Sequence, residues 1–218
     1  CAGALDFVAA IDLVRFRGQV MEAAVPHGAG AMAAILGLAD DQVEQACREA
    51  AAGAVVEAVN FNSPGQVVIA GERAAVERAL EAAKRLGAKR AVVLPMSVPA
   101  HCSLMRPAAE RLRERLHSVA LAAPRIPYVS AVDAGQHDDP ADIGRLLVRQ
   151  LASPVRWQDT VRALSARGLA QIIECGPGKV LTGLNRRIEK RPDLQCLAIE
   201  DGPSLDAALA AVSTATGG

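Results

Sequence analysis

Two β-rich runs, Val55 to Phe61 and Gln66 to Ala70, are joined by Asn62-Ser63-Pro64-Gly65, and this junction restricts the fold more than any other stretch. Four consecutive turn formers between two strand-like runs specify a hairpin. The flanks extend the unit. Ala31 to Leu38 is an apolar run of strand length, and Asp40 to Ala52 opens on acidic residues and carries apolar positions at helical spacing. Glu72 to Leu86 repeats Ala, Val and Leu at that same spacing, and Arg90 to Leu94 returns to strand. The predicted order is βαββαβ, the ferredoxin-like pattern, over residues 28–96.

Before this unit, Phe7 to Ala24 reads as a helix closed by the turn-rich Val25-Pro26-His27-Gly28-Ala29-Gly30. After it the alternation lengthens: a helix from Leu104 to Leu116, a strand at Ile126 to Val132, a polar loop at Asp133 to Pro140, and helices at Ala141 to Leu151 and Val155 to Arg167. Ala170 to Glu174 and Gln195 to Ile199 are further strands, Gly176-Pro177-Gly178 turns the chain into a helix ending near Ile188, and Ser204 to Val212 is the last helix before a frayed tail at Ser213 to Gly218. Such alternation predicts a largely parallel sheet covered on both faces. Three strands are few for so many helices, so part of the sheet is expected to be missing.

With 218 residues, 51% hydrophobic and 22% charged, the chain is long enough for one large globular domain or two smaller ones. Lys plus Arg and Asp plus Glu are both 24, so no net field draws the chain to nucleic acid or to an anionic membrane. Charged residues break every apolar run before it reaches the roughly 20 residues a bilayer span needs, and no secretory signal is visible, so the expected location is cytoplasmic. The five cysteines, Cys1, Cys47, Cys102, Cys175 and Cys196, are odd in number and lack C-x-x-C spacing, which predicts neither a disulfide framework nor a zinc site. Cys175 and Cys196 lie in apolar runs and read as core thiols.

Among side chains that could carry chemistry, His101 follows a strand and precedes an amphipathic helix, in a loop stiffened by Pro95 and Pro99. A histidine held there is either a general base or a loop residue satisfied by a backbone carbonyl. Its neighbour Cys102 should point away from it. In the opening helix Leu13, Val14, Phe16, Val20 and Met21 share an apolar face with Arg17 near its middle, while Arg15 falls opposite with Asp12 and Gln19. A guanidinium on an apolar face needs an acceptor: an internal carboxylate, solvent reached by snorkelling, or a substrate carboxylate held by its planar fork. Gly176-Pro177-Gly178-Lys179 is explained by a tight strand-to-helix turn without an anion. His27, His117 and His137 sit in turn or polar contexts, with no carboxylate spaced to make a metal site.

Several blocks in order, Arg17-Gly18-Gln19-Val20-Met21, Asn60-Phe61-Asn62-Ser63-Pro64-Gly65-Gln66, Ser97-Val98-Pro99-Ala100-His101-Cys102, Leu147-Val148-Arg149-Gln150-Leu151 and Gly176-Pro177-Gly178-Lys179-Val180-Leu181, resemble the malonyl-CoA:acyl-carrier-protein transacylases of fatty-acid and polyketide synthesis. The resemblance implies an α/β-hydrolase-like large domain, residues 1–27 and 97–218, interrupted by the ferredoxin-like small domain at 28–96. It implies ping-pong transfer of malonyl from malonyl-CoA, through a serine, to the pantetheine thiol of acyl carrier protein, with no cofactor or metal of the enzyme's own. By motif position His101 is the expected base, the main-chain carbonyl of Gln150 its orienting partner, Arg17 the clamp for the malonyl carboxylate, and Asn60 and Asn62 substrate-side residues.

The family's nucleophile stands in a G-x-S-x-G elbow, and this sequence contains no such pentapeptide. Ser63, Ser97 and Ser103 lack the strand-turn-helix context that an elbow requires. The chain therefore reads as the C-terminal two-thirds of a transacylase, without its serine and first strands, and inactive alone. The alternatives are a polyketide acyltransferase with another extender unit and a non-catalytic module that binds carrier protein.

Overall fold

The computed structural model describes residues 1–96 and 98–215 as a mixed α/β protein. Ser97 and residues 216–218, the end of the expected tail, lie outside the described residues. The chain forms two compact units, Cys1–Trp157 and a second from Gln158 on.

The first unit opens with helix α1 (Phe7–Ala23), started by Asp6, whose carboxylate accepts from the Val8 and Ala9 amides at 2.9 and 3.1 Å. The βαββαβ order follows as expected: β1 (Gly30–Leu36), α2 (Asp40–Ala51), β2 (Val56–Ser63), β3 (Gln66–Glu72), α3 (Arg73–Arg85) and β4 (Arg90–Val93). The four strands make one antiparallel sheet in the order β2-β3-β1-β4. The hairpin is tighter than expected. Ser63 pairs with Gln66, so only Pro64 and Gly65 turn the chain and Asn62 belongs to β2. Pro64 presets φ at the first position and Gly65, at φ +73°, supplies the left-handed second position that most residues avoid.

Both faces of this sheet are covered. Ala33, Ile35, Val67 and Ile69 pack against α2 and α3 through Val43, Ala46, Val76 and Ala79. Met32, Val59, Val68 and Ala70 pack on the other face against Leu13, Val20 and Met21 of α1 and against the segment after β4. Double coverage explains why β3 reads as a continuous apolar run and not as an alternating one. It also leaves no space at Gly71, where a Cβ would run into the Val55 carbonyl of the neighbouring segment.

After β4 the chain passes His101, makes a 3₁₀ turn (Ser103–Met105) and enters α4 (Arg106–Leu116). The strand expected at Ile126 to Val132 is reduced to β5 (Tyr128–Val129), paired antiparallel with β6 (Gln136–His137). The intervening turn reverses the chain at once. Ala134 is left-handed at φ +57°, and the Asp133 carboxylate accepts from the Gly135 amide at 3.0 Å and lies 3.2 Å from His137 Nε2. His137 thus has a carboxylate partner four residues before it in the chain, a single pairing. Then come α5 (Pro140–Arg149), a 3₁₀ turn (Gln150–Ala152) and the start of α6 (Trp157–Ala166).

In the second unit β7 (Gln171–Cys175) and β8 (Gln195–Ile199) form a parallel pair, with α7 (Val180–Ile188) between them in sequence and α8 (Gly202–Ala215) after them. The expected parallel sheet is represented by this pair alone among the described residues, and the larger sheet is antiparallel. Cys196 is buried as expected, but Cys175 closes β7 with its side chain exposed. No helix among the described residues is long and apolar enough to cross a membrane.

Candidate active site

His101 sits in the left-handed region at φ +67°, an uncommon conformation for a side chain of this size. Three attachments hold it there. Its own amide donates to the Leu151 carbonyl at 3.1 Å, Cys102 is fully buried with its thiol donating to the Pro99 carbonyl at 3.1 Å, and Met105 is fully buried in the core under α1 and α4. Burial pushes the Cys102 thiol up to about 11, and its proton is engaged by the Pro99 carbonyl, so it is a structural thiol.

The imidazole Nδ1 lies 2.8 Å from the main-chain carbonyl of Gln150, 49 residues further along the chain. A carbonyl only accepts, so Nδ1 carries the proton and neutral His101 keeps its lone pair on Nε2. Burial holds the imidazole below the ordinary histidine range; the Gln150 carbonyl pulls it up and the Arg17 charge pushes it down further. Gln150 stands at the junction of α5 with its terminal 3₁₀ turn, where carbonyls leave the helical ladder and become free to accept from a side chain.

Arg17 and His101 face the same cavity of about 390 Å³, walled mainly by Leu13, Leu112, Leu147 and Val155. Arg17 is half-buried, and desolvation lowers its pKa. No hydrogen bond or ion pair from its guanidinium to another side chain occurs among the described residues, and no carboxylate lines the cavity. The internal salt bridge weighed for Arg17 is therefore absent from that cavity. Val14, expected on the buried face of α1, is 65% exposed and contributes to the cavity rim.

Asn60 and Asn62 both lie on β2 and are half-buried, but neither lines the cavity. Asn60 reaches it only through the backbone, by a parallel bridge to Val155. Ser63 is buried and its hydroxyl has no partner, whereas the Ser103 hydroxyl donates to Glu57 at 2.6 Å; neither approaches the role of a nucleophile. At the loop Gly176-Pro177-Gly178-Lys179 the helix-start amides are already taken from within the chain. The Glu174 carboxylate already accepts from the Leu181 and Thr182 amides at 3.1 and 2.7 Å at the start of α7. No group of three or more His, Cys, Asp or Glu side chains among the described residues could hold a metal ion.

Sequence reasoning missed Leu151 and Val155, which act through main-chain atoms or as cavity walls. A backbone carbonyl leaves no residue-type signature. It missed Glu57 as well, although a carboxylate flanked by Val56, Ala58 and Val59 was a visible signal.

Residues 1–198 match the acyl transferase domain family. The malonyl CoA-acyl carrier protein transacylase of Salmonella typhimurium is 50% identical over 209 residues, covering 96% of this chain and 67% of the relative. The Bacillus subtilis protein of the same name is 43% identical, covering 95% and 65%. An acyl carrier protein S-malonyltransferase from Vibrio cholerae superposes with TM-score 0.93 at 54% identity, covering 95% of this chain and 67% of that one. A malonyl-transacylase solved in complex with a type II polyketide acyl-carrier protein superposes with TM-score 0.93 at 50% identity, with 96% and 67% covered. The chain spans about two thirds of the length of these relatives.

Proposed function

The chain belongs to the acyl transferase domain family, and from that premise we propose that it serves the transfer of malonyl from malonyl-CoA to the pantetheine thiol of acyl carrier protein in fatty-acid synthesis. The observation that carries this reading is a half-buried guanidinium without an internal acceptor, sharing an apolar cavity with an oriented, neutral imidazole. Arg17 would take the free carboxylate of the malonyl group through paired, charge-assisted hydrogen bonds. In the first half-reaction His101 Nε2 removes the proton from a serine hydroxyl as the oxygen attacks the thioester carbonyl. The imidazolium then returns that proton to the departing coenzyme A sulfur. In the second half-reaction the pantetheine thiol gives its proton to Nε2, its sulfur attacks the malonyl ester, and the serine oxygen leaves with the proton. The Gln150 carbonyl fixes the tautomer throughout, where other triads use a carboxylate. The partner carries the phosphopantetheine, so the reading requires no cofactor or metal on this chain.

The strand order β2-β3-β1-β4 supports reading 28–96 as a ferredoxin-like small domain, and the parallel β7-β8 pair supports assigning 1–27 and 97–218 to an α/β-hydrolase-like large domain. Asn60 and Asn62 then belong to the small-domain side of the cleft. The serine that the mechanism needs stands in a G-x-S-x-G elbow, which the 218 residues do not contain. Radiolabelled malonyl-CoA tests the reading. The 218-residue chain should take up no label, and its fusion to the elbow-bearing segment of a relative should form a malonyl-enzyme that His101→Ala abolishes. Robust labelling of the chain by itself would overturn this assignment of the nucleophile. Running malonyl, methylmalonyl and acetyl thioesters side by side separates the fatty-acid reading from a polyketide one with another extender unit.

A further inference from the structure

The His101···Gln150 bond joins two loops that have no covalent reason to meet, and each loop is tied separately to the same strand. On one side, both carboxylate oxygens of Glu57 on β2 accept from Ser103, two residues after His101: its amide at 3.0 Å and its hydroxyl at 2.6 Å. On the other side, Val155, five residues after Gln150, donates its amide to the Val59 carbonyl at 2.8 Å, and its carbonyl accepts from the Phe61 amide at 2.9 Å. The two attachment points on β2 are separated by a single residue, Ala58.

We propose that Glu57 is a positioning residue for His101, and that β2 works as the common jig that brings the His101 loop and the Gln150 carbonyl into register. The inference rests on the acyl-transfer reading of His101 for its importance, but its geometry stands without that reading. The left-handed conformation of His101 does not persist unaided in a residue with a bulky side chain, so something on each side must over-determine it. On the N-terminal side that constraint is the bond from the His101 amide to the Leu151 carbonyl, and the buried Cys102 next to it is anchored to the Pro99 carbonyl. Beyond Cys102 the C-terminal constraint is Glu57, since Ser103 starts the 3₁₀ turn and its amide, one of the unpaired donors of a helix start, is met by that carboxylate. Glu57 also answers its own burial problem: a half-buried carboxylate between apolar neighbours is tolerated when two donors meet it. The groups facing His101 itself are Arg17 and the Gln150 carbonyl, and Glu57 reaches the imidazole only through the Ser103 backbone.

The test reads the imidazole directly on the full 218-residue chain, without any turnover, by long-range nitrogen-proton NMR of ¹⁵N-histidine-labelled protein. In the unaltered chain His101 should show a single Nδ1–H tautomer. Glu57→Ala should give mixed tautomers and a His101 titration midpoint raised toward the ordinary value as the ring loosens. Ser103→Ala keeps the amide bond and should give a smaller change in the same direction, and Glu57→Gln should restore most of the single-tautomer signature. Circular dichroism separates this effect from loss of fold. A folded Glu57→Ala chain with an unchanged His101 tautomer and midpoint overturns the proposal. If that variant unfolds, an unchanged His101 tautomer and midpoint in Ser103→Ala overturns it. Failure of the acyl-transfer reading would appear elsewhere, as equal handling of malonyl-CoA and acetyl-CoA, and would leave these spectra untouched.

Discussion

Arg17→Ala should convert a dicarboxylate-selective site into an indifferent one, and the size of the change follows from where the guanidinium sits. An exposed ion pair is worth about 0–1 kcal/mol, which would cost less than about fivefold. Arg17 is half-buried among Leu13, Leu112 and Leu147 and already bears a desolvation penalty that no internal acceptor relieves. A charge-assisted pair in such a place is worth about 1.5–3 kcal/mol. At about 1.4 kcal/mol per factor of ten, malonyl-CoA should lose roughly ten- to a hundred-fold in kcat/KM. Acetyl-CoA has no carboxylate to lose, so the acetyl-to-malonyl ratio should rise by the same factor. Lys at position 17 keeps the charge without the planar fork and should recover only part of the loss. The assay is initial-rate transfer of each radiolabelled acyl group to carrier protein by the enzyme with its nucleophile elbow present. Because Arg17 depresses the His101 pKa, the comparison belongs at about pH 8, where the imidazole is neutral in both forms. Equal losses for both thioesters, or an unchanged ratio, would refute the clamp.

Four further outcomes follow from the same geometry. Gln150→Ala should alter transfer by less than about twofold, the range of a surface substitution, because the accepting atom is a main-chain carbonyl; a large kcat loss in a folded variant would show that the side chain matters. Since the reaction needs neutral His101 and its pKa lies below the ordinary value near 6.5, kcat/KM should rise with pH to a midpoint under about 6.5, and a midpoint above it would contradict the burial argument. The same shift means that the unfolded chain binds more protons in that window, so His101 should cost stability as pH falls through about 6.5, measurable as a falling urea midpoint. Glu174→Ala strips the acceptor from the Leu181 and Thr182 amides at the start of α7 and should lower stability by about 0.5–2 kcal/mol in denaturant titration, the usual range for a lost helix cap.

The βαββαβ unit was legible because local signals and burial agreed there. The turn at Pro64-Gly65 specified the hairpin, and the inner strands β1 and β3, covered on both faces, carry continuous apolar runs that marked them by composition. Ile126 to Val132 has the same apolar character, but the Asp133–Gly135 turn closes a hairpin after two paired residues, and side-chain bonding to Asp133 overrides the propensity of the run. Arg17 was conspicuous as a charge on an apolar face, yet the exposure of Val14 was not, since periodicity cannot tell a face buried against a neighbour from one that lines a cavity. His101 was found from its loop context. Gln150 came only from the resemblance, for a carbonyl that orients an imidazole can be presented by almost any residue type.

That choice of a carbonyl over a carboxylate suits the rest of the site as proposed. A buried carboxylate beside the imidazole would raise its pKa and would also compete with substrate for the nearby guanidinium, the one fixed positive charge among the described residues lining the cavity. A carbonyl gives Nδ1–H the same direction with only a dipole, so His101 stays neutral and Arg17 stays unpaired until a carboxylate enters from outside. On the proposed reading the malonyl carboxylate would then do two things at once. It would satisfy the guanidinium, and by cancelling that charge it would lessen the cost of forming the imidazolium nearby, strengthening the base when that acyl group is in place. An acetyl group would do neither, so discrimination by Arg17 should reach the proton-transfer step as well as binding.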